Sequence, residues 1–226
     1  MPTTTDETDR PPFHVLLLRH GQTDANATGV LQGHQPTPLN TLGLLQAERL
    51  AQRVARYSPR PTALLCSDLR RAVQTADALS SACGLAPVLD PSWRERGFGA
   101  FEGKLVGEHA TWHAAHGETD PPGAESLHDF RSRVLRALQS LPEQFKNETC
   151  VAVVTHGGPV GVILRALADG TLPLTKGAAP PEVVRAANCG VMELVLERTA
   201  AGRAWRMACV NDVAHLEGLA TDADAG

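Results

Sequence analysis

The sequence predicts an α/β fold, a three-layer α/β/α sandwich with a mostly parallel central sheet. Two observations lead to this prediction. Short apolar runs alternate along the chain with longer segments of helical periodicity, which is the order of elements in parallel α/β folds. The chain also has no internal repeat and no linker rich in Pro, Gly or Ser, and its 226 residues suit one domain, for which roughly 100–200 residues is usual.

In the first half of the chain, apolar runs bounded by polar residues predict buried strands, and apolar residues at helical spacing predict helices between them. Phe13–Leu18 is the first predicted strand. Thr41–Tyr57 carries apolar residues on one helical face, and Asn40 before it is a suitable N-cap. Three further elements follow in this half: a strand at Ala63–Cys66, a helix at Asp68–Ala82 and a short strand at Pro87–Leu89.

The second half continues the alternation. Glu125–Leu141 has its apolar residues on one face, as an amphipathic helix does. Cys150–Val154 is the most strand-like run of the chain, and Pro159–Ala168 after it predicts a helix with proline in its first turn. Two more apolar runs predict a terminal pair of strands, Val191–Glu197 and Ala204–Val210.

Both ends of the chain are polar. Residues 1–12 end in two prolines and predict a disordered N-terminal tail, and residues 213–226 predict a flexible acidic C-terminal tail. The single folded domain is therefore expected at residues 13–212.

Composition excludes several classes of protein. The net charge of −4 speaks against a nucleic-acid partner, which a basic excess would favour. The apolar runs are too short to span a bilayer, so no membrane partner is expected. Five cysteines without CxxC spacing indicate reduced, packed thiols, and the polar N-terminus lacks the apolar core of a secretion signal. We therefore expect a cytoplasmic protein.

Charged and glycine residues follow three of the predicted strands directly. Arg19-His20-Gly21 follows the first, a segment containing Arg70 and Arg71 follows the second, and His156-Gly157-Gly158 follows the strand at Cys150–Val154. In open α/β sheets, ligands bind beyond the carboxyl ends of the strands. A single histidine is more often a surface or core residue, but together these residues are expected to meet at one crevice.

Phosphoryl transfer to a histidine is the chemistry that needs this set. A neutral imidazole can attack phosphorus and form a covalent phosphohistidine, which divides one difficult step into two. The transferred group spreads its charge over three oxygens, and guanidinium groups match phosphate with two parallel hydrogen bonds. Glycine after each histidine allows close approach of backbone N–H groups to the anion. Such a site needs no metal and no other cofactor.

At Phe13–Asn26 the chain reads FHVLLLRHGQTDAN, which resembles the opening of the histidine phosphatase superfamily, the group that contains phosphoglycerate mutases and many phosphatases. The chain departs from the family pattern at Pro36, where an acidic residue is usual. Four further segments resemble the family in order and spacing: QGHQPTPL at 32–39, SDLRRAVQTA at 67–76, RERGFGAFEG at 94–103 and VVTHGG at 153–158. The resemblance implies a phosphoglycerate mutase-like fold and makes residues 13–212 a single histidine phosphatase domain.

The resemblance also implies roles for individual residues. His20 is the expected nucleophile, and Glu95 the general acid and base that protonates the leaving oxygen and then activates water. The phosphoryl group is expected to be bound by Arg19, by His156 and, in this register, by Arg71 rather than Arg70. The substrate contacts expected from the same motifs are Thr23, Asn26, Gln32, Gly33, Arg96 and Gly157.

The function expected from the resemblance is that of a metal-independent phosphomonoester hydrolase acting through phosphohistidine on a small phosphorylated metabolite. A cofactor-dependent phosphoglycerate mutase is one alternative, since Arg96 could bind a second phosphate. The acidic C-terminal segment favours the phosphatase, because it would repel a bisphosphate. A non-catalytic protein that binds a phosphorylated ligand is an alternative of another class.

A histidine-rich segment lies outside these motifs. His109, His113 and His116 fall on one face of a possible helix. We expect a solvated face or one that lines a lid over the site; a contact with an anion is a second interpretation and a zinc site a third.

Overall fold

The computed structural model describes residues 11–117, 119–199 and 202–219. Within these residues one six-stranded sheet has the order β3-β2-β4-β1-β5-β6. The first four strands of this order are mutually parallel, whereas β5 and β6 are antiparallel to their neighbours. The strands are β1 Phe13–Arg19, β2 Ala63–Cys66, β3 Pro87–Leu89, β4 Cys150–Thr155, β5 Val191–Thr199 and β6 Gly202–Asp212.

The described residues also form six α-helices. Each strand and helix predicted above is present, and its ends differ from the prediction by no more than about one helical turn. Asn40 caps the second helix as predicted, because its side chain accepts a hydrogen bond from the Gly43 N–H at 2.8 Å. The helices are α1 Asp24–Ala27, α2 Thr41–Val54, α3 Arg70–Cys83, α4 Val106–His116, α5 Leu127–Gln144 and α6 Gly157–Ala168.

Helices cover both faces of the sheet, so the architecture is the predicted three-layer α/β/α sandwich. Side chains of a strand point alternately to its two faces. On one face, Leu17 of β1 belongs to a core that includes residues of α5 and α6. On the other, Leu16 and Leu18 belong to a core with residues of α2 and α3. The sheet is therefore buried on both sides, which leaves the ends of the strands as the place for a site.

The two ends of the chain differ in how they relate to the prediction. The N-terminal tail lies outside the described residues, apart from the exposed Pro11 and Pro12. At the C-terminus, residues 213–219 are not a free tail. Ala214–Leu216 forms a turn of 3-10 helix, and Leu216 is buried in the core formed with α2 and α3. Apolar Leu216 thus packs part of the predicted C-terminal tail against the domain, and residues 220–226 lie outside the described part.

All five cysteines are free thiols, of which Cys66, Cys150 and Cys189 are buried. Burial raises the pKa of Cys150 to about 12, so this thiol is inert as a nucleophile. In the described part of the chain, none of the helices combines the length and apolar character needed to cross a membrane.

Candidate active site

The two histidines that follow apolar strands are neighbours in space. Strands β1 and β4 pair in parallel with Arg19 opposite Thr155, so the next residue of each strand is a histidine at the same edge. The rings of His20 and His156 lie edge to face with their centroids 5.0 Å apart. Both histidines are almost completely buried.

The backbone decides which nitrogen of His20 carries the proton. Nδ1 lies 2.7 Å from the carbonyl oxygen of Gly21, which can only accept, so Nδ1 is the donor. In the neutral ring Nε2 therefore holds a lone pair, and it accepts a hydrogen bond from Arg71 Nε at 3.2 Å. This is the tautomer that a nucleophilic imidazole needs.

His156 is oriented from both of its ring nitrogens. Its Nδ1 accepts from the same Arg71 Nε at 3.2 Å, and its Nε2 lies 2.8 Å from the hydroxyl of Ser67. Ser67 is buried at the end of β2 and was not predicted as a site residue. Its place at a strand end was the signal that could have identified it, because parallel neighbours end at the same edge of the sheet.

Two buried arginines surround the histidines. Arg71 lies in the first turn of α3, and its terminal nitrogens donate to the carbonyl oxygens of Gln35 and Gly33 at 3.1 and 2.9 Å. Arg19 donates to the carbonyl oxygen of Ala186 at 2.5 Å. Arg70, by contrast, is exposed, so the structure places Arg71 beside the histidines as expected from the motif.

Burial and nearby positive charge both lower the pKa of the two imidazoles. Desolvation, followed by the charges of Arg71 and Arg19, holds the pKa of His20 well below its ordinary value of 6.5. Desolvation and Arg71 likewise hold the pKa of His156 well below that value. Both rings are thus neutral near pH 7, whereas a phosphate dianion between them would favour the charged form of His156. The concentration of positive charge is what an anion site requires.

Glu95, in the loop after β3, lies on the same cavity wall as His20 and Arg71. Its Oε2 accepts from the backbone N–H of Gly158 at 3.0 Å, in the first turn of α6, and its Oε1 accepts from the N–H of Arg96 at 2.9 Å. A Cβ atom at Gly158 would lie 1.8 Å from Glu95 Oε1, so only glycine leaves room for this carboxylate. The second glycine of the HGG segment therefore gives the Glu95 carboxylate both space and an N–H donor, a role that no motif indicates.

The backbone around Glu95 is fixed by side chains from other elements. Arg133 of α5 donates to the carbonyl oxygens of Ser92 and Arg94 at 2.9 and 3.1 Å, and it forms an ion pair with Glu125 at 2.7 Å. The ring of His34 lies 2.9 Å from the carbonyl oxygen of Glu95. No motif pointed to Arg133, because it acts through backbone atoms remote in sequence.

An open cavity of about 520 Å³ lies beside these groups. His156 is buried behind its wall. Gly33 enters the wall with a φ of 49°, in the left-handed region that favours glycine. Eight residues predicted for the site line the cavity: Arg19, His20, Asn26, Gln32, Gly33, Arg71, Glu95 and Gly157.

Thr23 is placed beneath the cavity wall. It is fully buried and caps α1, where it forms a reciprocal capping box with Asn26. Asn26 accepts a further hydrogen bond from Asn188 at 3.2 Å, and Asn188 also donates to the His20 carbonyl oxygen at 2.9 Å. Thr23, expected to contact the substrate, is thus not among the residues that line the cavity, and its hydrogen bonds position Asn26.

Arg96, also expected to contact the substrate, is not among the residues that line the cavity. Its guanidinium forms an ion pair with Asp120 and donates to the carbonyl oxygen of Glu125 at 2.9 Å. The physical reason is competition: a carboxylate from a loop distant in sequence already neutralises this arginine. A second-phosphate site at Arg96 has no support in this geometry.

The histidine-rich segment forms α4 outside the active-site cluster. His109 and His113 bring their Nε2 atoms to 3.2 Å, while the ring of His116 stacks on Trp112. The three rings thus do not converge on one point. His109 packs against Phe98, whose side chain lines the cavity, so this face lies next to the site.

Comparisons with known proteins agree with this geometry. The chain is 32% identical over 222 residues to phosphoglycerate mutase-like protein 4 of Arabidopsis thaliana, a match that covers 94% of this chain and 90% of the relative. It is 30% identical over 215 residues to the metal-independent phosphoserine phosphatase of the same plant, covering 91% and 84%.

Among solved structures, a mycobacterial glucosyl-3-phosphoglycerate phosphatase in complex with VO3 superposes with a TM-score of 0.72 at 25% identity, covering 88% of this chain and 99% of that one. The family model of the histidine phosphatase superfamily (branch 1) matches residues 15–212. With its phosphatase relatives, its fold and its paired histidines, the chain belongs to the histidine phosphatase superfamily and is an enzyme of the phosphoglycerate mutase-like phosphatase type.

Proposed function

We propose that this enzyme is a metal-independent phosphomonoester hydrolase that acts through a phosphohistidine at His20 on a small phosphorylated metabolite. One observation carries the proposal. The Gly21 carbonyl oxygen takes the Nδ1 proton of His20, and this leaves the Nε2 lone pair directed at the cation of Arg71. A phosphoryl group that binds between His20 and Arg71 replaces this hydrogen bond. Its phosphorus then faces the Nε2 lone pair, and its oxygens contact the guanidinium that neutralises their charge.

In the first step, His20 Nε2 attacks phosphorus, and the bond between phosphorus and the ester oxygen breaks. Glu95, in its acid form, gives its proton to the leaving oxygen, so that an alcohol departs. Arg19, Arg71 and the N-terminus of α6 at Gly157 stabilise the charge on the transferring oxygens. The lowered pKa of His20 supports this step, because it keeps the nucleophile unprotonated near neutral pH.

In the second step, water attacks the phosphohistidine. Glu95, now a carboxylate, takes a proton from the water, the bond between phosphorus and Nε2 breaks, and inorganic phosphate forms. Gln32 is available for the organic part of the substrate: its Oε1 is buried and has no hydrogen-bond partner among the described residues. A hydroxyl or amino group of the substrate can satisfy this acceptor.

Replacement of the nucleophile tests the proposal. We expect His20→Ala to lower kcat for phosphate release by about a thousandfold or more, because no covalent intermediate can form. The wild type should also acquire a phosphoryl label from substrate that is lost in acid and kept in alkali, as a phosphoramidate is. His128→Ala, which removes an exposed histidine, is the matched control and should have normal activity.

Two outcomes would contradict the proposal. Wild-type turnover by His20→Ala would exclude His20 as nucleophile. Binding of phosphorylated ligands by a wild-type protein that releases no phosphate across a metabolite panel would favour a non-catalytic binding protein.

A phosphoglycerate mutase is the second candidate, since a relative at 32% identity is a phosphoglycerate mutase-like protein. Interconversion of 3- and 2-phosphoglycerate, measured with and without added bisphosphoglycerate, separates the two activities. A phosphatase should release phosphate without isomerising the substrate, and fast isomerisation dependent on the bisphosphate would overturn the preference for hydrolysis.

The proposal includes a cytoplasmic location and a metabolite, not a nucleic acid or a membrane, as the partner. The five free thiols support it, since such thiols persist in a reducing compartment.

A further inference from the structure

Two arginines on the cavity wall have no part in the proposed mechanism. Arg165 lies on α6, two turns beyond the glycines that face the histidines. Arg185 lies in the connector between α6 and β5. Both line the same cavity as His20 and Glu95, so a ligand whose phosphoryl group is bound at His20 shares its cavity with two more cations.

The side chain of Arg165 extends toward the phosphoryl end of the cavity. Helical side chains point toward the N-terminus of their helix, which for α6 is the end at the histidines. Gly161, one turn earlier and also on the cavity wall, makes room for it: a Cβ atom there would lie 3.2 Å from Arg165 Nη1. The guanidinium therefore lies over Gly161.

Neither of these arginines is neutralised within the described part of the chain. Arg165 and Arg185 are exposed, and neither forms an ion pair with a residue that the structure describes. Other arginines near the site differ in this respect. Arg94 pairs with Asp68, and Arg133 pairs with Glu125. Unpaired cations at a cavity rim raise the local concentration of anionic ligands.

Much of the remaining cavity wall is apolar. Side chains of this kind contact an organic group but do not bind a second charge. The apolar residues of the wall include Val30, Leu31, Phe98, Val106, Val183 and Val184.

We propose that Arg165 and Arg185 form a second-anion subsite, and that this enzyme acts on phosphomonoesters whose organic part carries a further negatively charged group, a carboxylate or a second phosphate. Guanidinium groups bind both anions with paired hydrogen bonds. The substrate class rests on the proposed hydrolase function, whereas the subsite itself can be tested without turnover.

Binding of non-hydrolysable phosphonates tests the subsite. Ethylphosphonate, 3-phosphonopropionate and ethylene-1,2-diphosphonate have the same two-carbon chain and differ in the second group. By isothermal titration calorimetry we expect the wild type to bind at least one of the two ligands with a second anionic group about tenfold more tightly than ethylphosphonate. The arm with the larger gain identifies the second group as carboxylate or phosphate. Equal binding of all three ligands would overturn the subsite.

Variants assign the preference to these residues. The double variant Arg165→Gln with Arg185→Gln should lose most of the tenfold preference. The double variant Arg49→Gln with Arg136→Gln changes the net charge equally at exposed positions of α2 and α5 and should keep the preference. If both double variants lose it equally, the effect is one of net charge and the subsite is refuted.

Turnover separates the subsite from the hydrolase function. The ratio of kcat/KM for O-phosphoserine to that for 4-nitrophenyl phosphate should fall in the Arg165 and Arg185 variant, mainly through KM. A wild type that binds the charged phosphonates preferentially but hydrolyses nothing would refute the hydrolase and keep the subsite. A wild type that hydrolyses both esters without any preference in binding would do the reverse.

Discussion

Two imidazoles are held neutral beside arginines at the centre of this site, and this state links catalysis to stability. In the folded chain, burial and then the charge of Arg71 keep the pKa of both His20 and His156 well below 6.5. In the unfolded chain both rings take up protons near the ordinary value of 6.5. Below that pH the unfolded state binds more protons, so the free energy of unfolding falls as the pH falls.

We therefore expect stability to be complete above about pH 6.5 and to decrease toward pH 5. Each histidine contributes a slope of up to about 1.4 kcal/mol per pH unit. Urea denaturation between pH 5 and 7.5 measures this slope. His20→Ala should flatten it, and His128→Ala should not, because His128 is exposed. A slope unchanged by removal of His20 would contradict the neutral, buried state of the ring.

Gly158 offers a second test at the level of single residues. Gly158→Ala places a Cβ atom 1.8 Å from Glu95 Oε1, so the carboxylate must leave its position. We expect kcat for an alkyl phosphate, whose leaving group needs a proton, to fall by about a hundredfold. Hydrolysis of 4-nitrophenyl phosphate, which has a good leaving group, should fall less.

Gly107→Ala is the matched control, since a Cβ atom there meets nothing within 4 Å. An equal loss on both substrates would contradict the role of Glu95 as general acid, because only the alkyl leaving group needs a proton.

Among the elements, α5 has a function beyond packing. Through Arg133 it binds backbone oxygens of the loop that carries Glu95, and the ion pair with Glu125 fixes the guanidinium in turn. Arg133 does not line the cavity, so it is a positioning residue.

We expect Arg133→Met to lower the ratio of kcat for alkyl phosphates to kcat for 4-nitrophenyl phosphate by about tenfold, because the backbone that carries Glu95 loses its support. Arg133→Lys should recover little of the activity on alkyl phosphates, since one ammonium group cannot replace the several N–H donors of a planar guanidinium. Arg131→Met removes an arginine from the same helix that pairs with Asp169 instead, and it should leave the ratio unchanged. A uniform loss on both substrates would indicate a structural role only.

At the scale of the whole molecule, one sheet separates two cores that share its strands. Leu138 of α5 and Leu79 of α3 are both buried, on opposite faces. Because β1, β2 and β4 contribute to both cores, we expect the faces to unfold together. Leu138→Ala and Leu79→Ala should each lower the free energy of unfolding by about 2–5 kcal/mol within one transition.

Circular dichroism and tryptophan fluorescence measure this, since Trp93 and Trp205 lie in only one of the two cores. Leu127→Ala, at an exposed position, should have little effect. Separate midpoints for the two signals in either core variant would show that the faces unfold independently.

The sequence predicts the fold well because its elements depend on local patterns. Strands such as Cys150–Thr155 are apolar throughout, and Asn40 marks the start of a helix by its own side chain. The centre of the site is predictable for the same reason: a histidine directly after a parallel strand is placed at the sheet edge by the strand itself.

What the sequence does not predict depends on contacts between distant segments. Arg96 is of a residue type that commonly binds phosphate, but its guanidinium forms an ion pair with Asp120. Ser67, Arg133 and Asn188 support the site through hydrogen bonds to residues far along the chain. Such pairings follow from the packed fold and leave no local pattern.

The spacing between the two histidine rings has a simple origin. Their centroids are 5.0 Å apart, close to the spacing of about 4.8 Å between neighbouring strands. The distance between the two rings thus follows from backbone hydrogen bonding between the strands, which does not depend on side-chain identity. Other residues of the cavity wall, such as Val30 and Arg165, lie instead on connecting segments and on the later turns of α6. Descendants of such a protein can therefore exchange one substrate for another without rebuilding the reaction centre.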